Sequence, residues 1–227
     1  THASGPSSSV STSGGYTSTK NKEMFCKLLS KAQGFAAFAT HLSMEFSMET
    51  LLFLIEISQY QVYIRNHCKY NMVPESPMPS LYEKLTFPLD VPQSEIVFAD
   101  DYKMYDDETE EKDVAGDDSD DEAENNALLY AFKVKAIQLY RKYIKSQCEL
   151  EVNISYHAKK QLSRLMEGDE NINRWLANKE NPELQFKQLI DLYEQACHEI
   201  FTLVIDSFNR FKHTAKFNQL RQYKIFV

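Results

Sequence analysis

Three polar clusters break a chain that is otherwise patterned for apolar packing. SMEFSMETLLF (43–53) sets Glu45 and Glu49 around Phe46 and just ahead of Thr50. QCELEVNIS (147–155) supplies Glu151 and Asn153, and LVIDSFNRF (203–211) supplies Leu203, Asp206, Ser207 and Arg210. An asparagine amide donates and accepts at once, carboxylates accept from backbone amides, and a guanidinium binds a carboxylate through two parallel hydrogen bonds. Whether such clusters are joints between helices or contact surfaces is the question they raise. No GxSxG, HExxH, Walker loop or GxGxxG occurs, and the six histidines lack metal spacing, so no reaction centre or cofactor site of the chain's own is expected.

Each residue has a plainer reading when taken alone. Glu49 is favoured by the dipole of the helix that follows it. Phe46 suits a core, and Asn153 suits a turn. Those readings explain single positions but not three separated sets.

The elements that must hold the clusters are helical. Glycine and proline number only 6 and 7, and apolar residues recur with a 3.6-residue period. Helices are predicted over 23–32 (Met24, Leu28, Leu29), 35–44 (Phe35, Phe38, Leu42), 48–66 (Leu51, Leu54, Ile55, Val62) and 127–146 (Leu128, Phe132, Ala136, Leu139, Tyr140, Tyr143). Ser155 is a natural N-cap for a helix to about Met166. Asn181 before Pro182 opens a long helix through about Phe208. The clusters therefore fall at helix junctions of an all-α bundle. In YRKYIK (140–145) the tyrosines fall on the apolar stripe and the charges behind it, which argues against a nucleic-acid surface.

The rest of the chain differs in composition. Residues 1–21 are rich in Ser, Thr and Gly and read as a flexible leader. From 69 to 126 runs an insert, first proline-broken, then acidic. Between Asp100 and Glu124 it holds 14 acidic residues against two lysines, a local charge of −12 within a net −8, leaving +4 elsewhere. Such a run reads as a solvated, self-repelling loop. DDSDDEAENNAL lacks the closing glutamate of a calcium-binding EF-hand loop, and Ser119 before Asp-Asp-Glu is a candidate phosphosite. Cys26, Cys68, Cys148 and Cys197 are dispersed, with no CxxC, as in a reduced cytoplasmic protein. No stretch approaches the roughly 18 apolar residues of a membrane span.

FAAFATHLSMEFSMETLLFLIEISQY resembles the start of the regulator of G-protein signalling domain, whose pattern there is E-F/Y-S-x-E-N-L-x-F-W. QCELEVNIS resembles that family's Q-A-x-x-E-V/I-N-I/L-D loop, and ACHEIFTLVIDSFNRF resembles A-Q-x-x-I-Y-x-L-M-x-x-D-S-Y-x-R-F. The three lie in family order, and the resemblance spans about 22–215, with 216–227 left as a tail. It implies a two-lobed bundle of about nine helices with the acidic insert between the fourth and fifth. It implies an activity as well, namely faster GTP hydrolysis by a heterotrimeric G-protein α subunit. The domain adds no catalytic group of its own and holds the α subunit's switch loops in the transition-state arrangement.

By motif position, the resemblance assigns contact roles to Glu45, Phe46, Glu49, Thr50, Glu151, Asn153, Leu203, Asp206, Ser207 and Arg210. Asp206 is expected to pair with Arg210, and Asn153 to steady the α subunit's catalytic glutamine. A cytoplasmic protein recruited to the inner face of the plasma membrane by its partner follows. Two departures stand out. Thr50 replaces the family's asparagine, and the third motif is one residue short before Asp206. Both leave room for a scaffold that binds without accelerating hydrolysis.

Overall fold

The computed structural model describes residues 14–67, 119–167, 172, 174–176 and 182–222. Eight helices and no strand occur among the described residues, so the protein is all-α. They are α1 (Gly14–Leu29), α2 (Ala32–Met44), α3 (Met48–His67), α4 (Ser119–Tyr143), α5 (Tyr156–Met166), α6 (Pro182–Asp191), α7 (Glu194–Phe211) and α8 (Ala215–Gln222).

Helix α3 is apolar around most of its circumference, with Leu51, Phe53, Leu54, Ile55, Ile57, Tyr60 and Ile64 all buried. A helix of that kind must be enclosed, and α3 packs against α2, α4, α6 and α7. Val62, expected on its apolar face, is exposed, because the helix buries Tyr60 and Ile64 instead. On one side Phe25, Phe38, Phe208, Phe211 and Phe217 meet mostly edge to face. On the other, Phe53, Tyr63, Tyr143, Tyr193, Phe132 and Phe186 do the same. Edge-to-face pairs of this kind add about 0.5–1.5 kcal/mol each beyond area burial.

Several boundaries differ from the sequence reading. Helix α1 begins at Gly14, inside the supposed leader, and Asn21 accepts from Lys212 Nζ at 2.9 Å, tying α1 to the end of α7. The single helix expected from 182 to 208 is two. The chain turns at Leu192 and Tyr193, which seats the buried Tyr193 so that its hydroxyl donates to the Ala136 carbonyl at 2.5 Å. Residues assigned to a tail form α8, whose Phe217 and Leu220 are buried against the bundle. Ser119, the candidate phosphosite, opens α4. The proline-broken half of the insert, the acidic run before Ser119 and Cys68 lie outside the described residues. Ser155 caps α5 as expected, its hydroxyl accepting from the Ala158 amide at 3.3 Å.

Candidate functional site

The first junction, between α2 and α3, closes α2 with a paired carbonyl lock. The Ser47 amide donates to the Leu42 carbonyl at 3.0 Å and the Phe46 amide to the Ser43 carbonyl at 3.3 Å. That arrangement requires a left-handed residue between them and normally selects glycine. Here the residue is Phe46, at φ 53°, with its ring 94% exposed. A bulky residue in that region is strained, and surrounding structure must hold it there. The junction therefore presents an aromatic ring to solvent against both local preference and hydrophobicity.

Glu45 provides the anchor. Arg210, on α7, donates from Nε to Glu45 Oε1 at 2.6 Å and from Nη2 to Oε2 at 2.8 Å, while the same Nη2 reaches the Ser207 hydroxyl at 2.8 Å. The guanidinium holds the Glu45 carboxyl down at about 2 against the opposing effect of partial burial, helped by Ser207 and by His41, whose Nε2 stands 3.3 Å from Oε1. The expected Asp206–Arg210 pair does not form. Both forked donors of Arg210 face the incoming Glu45, so Asp206 stays exposed, with no hydrogen bond or ion pair among the described residues.

Thr50 also departs from expectation. It is buried at 6%, and its hydroxyl donates back to the Ser47 carbonyl at 2.6 Å. A side chain that closes its own helix's first turn is not presented to a partner. Glu49, half-buried in that turn, lies where the helix dipole favours it.

The second junction, between α4 and α5, is stiffened from within. Gln147 adopts φ 66°, and its amide donates to Glu151 Oε2 at 2.7 Å. Lys159, on α5, binds the other oxygen of Glu151 and, with the Gln147 amide, lowers that carboxyl's pKa. Glu151, assigned to partner contact, thus braces its own loop. The Val152 amide donates to the Tyr143 carbonyl at 2.8 Å. Asn153 is exposed and makes no hydrogen bond among the described residues, so it is not shaping the turn.

The third cluster lies on α7, an unbroken helix whose buried stripe runs Cys197, Ile200, Phe201, Val204, Ser207, Phe208 and Phe211. Because the helix is unbroken, the shortened motif keeps Leu203 three residues before Asp206 along it. Leu203 is exposed at 39% and Asp206 is exposed, whereas Ser207 is buried and serves Arg210. Helix α7 joins all three clusters. Arg210 holds the first junction, and Glu199, which no motif indicated, accepts from Ser155 at the end of the second. Those two anchors are separated by roughly 16 Å along the axis at 1.5 Å per residue. Glu56 is another residue without a sequence signal. It accepts from Lys142 Nζ at 2.5 Å and from the Tyr143 hydroxyl at 2.8 Å, fixing the end of α4 to α3.

Among the described residues no group of three or more His, Cys, Asp or Glu could hold a metal ion, and no helix is long and apolar enough to cross a membrane. No family model, no curated protein and no solved structure matches this chain.

Proposed function

We propose that this protein binds the α subunit of a heterotrimeric G protein and accelerates its GTP hydrolysis, attenuating signalling at the inner face of the plasma membrane. The observation that carries the reading is the attachment of both loop clusters to one face of α7. Two loop stretches, joined at Glu45 and Ser155 and 110 residues apart in sequence, each resembling a contact segment of the regulator of G-protein signalling domain, are fastened to that helix by carboxylates. On this reading Phe46 and Leu203 provide apolar contact, Asp206 accepts from switch-loop amides, and Asn153 meets the α subunit's catalytic glutamine. Glu45, Glu151, Ser207 and Arg210 hold those residues in place, while Thr50 closes the first turn of α3 and Glu49 stands in that same turn.

Catalysis of this kind is preorganisation. Asp206 and Asn153 suit it, because neither has a side-chain hydrogen bond among the described residues to give up on docking. Single-turnover GTP hydrolysis by a panel of preloaded α subunits tests the proposal. A rate increase on at least one member, lost with Asn153→Ala, is the expected result, and no increase on any member defeats it.

One observation favours a second reading. The inward hydroxyl of Thr50 removes a polar contact that the family's asparagine makes available. A domain with this change would bind an α subunit as a scaffold, without accelerating hydrolysis. Measurable binding to the GDP and aluminium fluoride form with no rate increase would establish that alternative.

A further inference from the structure

Asn153 stands between two fixed points. On one side Val152 is buried and its amide is held by the Tyr143 carbonyl. On the other, Glu199 accepts the Ser155 backbone amide at Oε2 (2.5 Å) and the Ser155 hydroxyl at Oε1 (2.8 Å), with the Gln195 side-chain amide adding a third donor at 3.2 Å. The Ser155 hydroxyl oxygen at the same time accepts from Ala158, so one side chain links α7, the loop and the start of α5.

We propose that Glu199 is a positioning residue, holding the second junction on α7 so that Asn153, two residues before Ser155, is presented at a fixed height along that helix. What Asn153 meets there rests on the G-protein reading above. Ionised carboxylates accepting from amide and hydroxyl donors make stronger bonds than neutral acceptors. Burial raises the Glu199 carboxyl's pKa, but the bonds from Ser155 and Gln195 outweigh it and keep the group ionised at neutral pH. A glutamine would keep the shape and weaken the hold, since it carries no charge and only one of its two polar atoms can accept from the Ser155 donors. Glu199 touches no partner atom in this role. It acts through Ser155 on the placement of Asn153.

The test combines a measurement on the protein alone with one on the complex. Amide hydrogen exchange of Glu199→Gln should be roughly tenfold or more faster at Ser155, for loss of a charge-assisted bond, and unchanged at Ser47 in the first junction. Acceleration of single-turnover GTP hydrolysis should fall roughly tenfold, with no further fall when Glu199→Gln is added to Asn153→Ala, because both act at one point. If Glu199→Gln unfolds the protein, faster exchange at Ser47 will reveal it, and Ser155→Ala then carries the test from the other side with the same, weaker pattern. Unchanged exchange at Ser155, unchanged acceleration despite faster exchange, or additive losses in the double variant each overturn the proposal. Should the wild-type protein accelerate no α subunit, the G-protein reading fails, while exchange at Ser155 still decides whether Glu199 holds the loop.

Discussion

The clasp between Glu45 and Arg210 joins residues that lie 165 positions apart, and its pH dependence follows from the depressed carboxyl. Glu45 titrates at about 2 when folded, against an ordinary 4.5, so its contribution to stability is complete above about 4.5 and is lost as pH falls toward 2. Because the Arg210 side chain is 58% exposed, solvent screening limits the pair to about 1 kcal/mol. Arg210→Ala should therefore lower unfolding free energy by about that much at neutral pH, and the gap should close between pH 4.5 and 2 in denaturant titrations. A gap that persists at pH 2 would place the loss in packing instead. Thr50→Val separates structure from contact at the neighbouring position. Losing the bond to the Ser47 carbonyl should cost about 1 kcal/mol of stability. On the proposed G-protein reading, activation of an α subunit should stay unchanged, since that hydroxyl faces inward, and a selective loss of activation would show that Thr50 reaches the partner after all.

At the scale of elements, periodicity predicted well where a helix has one wet face. It placed Phe38, Leu42, Phe132, Ala136 and Leu139 in the core, and Ser155 at a cap. It failed where tertiary contact decides. Nothing local marks the turn at Leu192 and Tyr193, which exists so that a tyrosine can reach a carbonyl on α4. Helix α8 was missed because eight residues with only Phe217 and Leu220 buried carry too little pattern to read. The polar residues of the site were legible by type, but which of them face outward was not, since Glu45 and Asp206 compete for one arginine and only three-dimensional approach selects between them. The contact of α1 with α2 has its own requirement at Gly34. A Cβ there would lie 2.3 Å from the Leu28 carbonyl oxygen and 2.8 Å from Leu28 Cδ1. Backbone cannot yield as a side-chain tip can, so Gly34→Ala should destabilise by about 2–3 kcal/mol through overpacking. A chemical-denaturation midpoint equal to the wild type's would mean that the two helices can separate at no cost.

For the whole molecule, the question is whether the two aromatic groups are separate bodies or one. Their buried residues form a continuous core, with α3 packed against helices on both sides. Continuity of that kind predicts a single cooperative transition rather than two. The sole tryptophan allows a direct test, because Trp175 packs at the edge of the core and belongs to neither α7 nor α8. Phe217→Ala, in α8, removes a buried ring from contact with Phe208 and Phe211 and should cost about 3–4 kcal/mol. If the bundle unfolds as one, urea curves followed by Trp175 fluorescence and by far-ultraviolet circular dichroism should shift together and by the same amount. A dichroism curve that splits while the Trp175 curve stays in place would mean that α1, α2, α7 and α8 melt by themselves. The first junction would then be fastened to the less stable half, and Phe46 could be ordered by a partner rather than preorganised for it. Coincident curves tie both junctions to one folded unit, the condition under which α7 can set their spacing before any partner arrives.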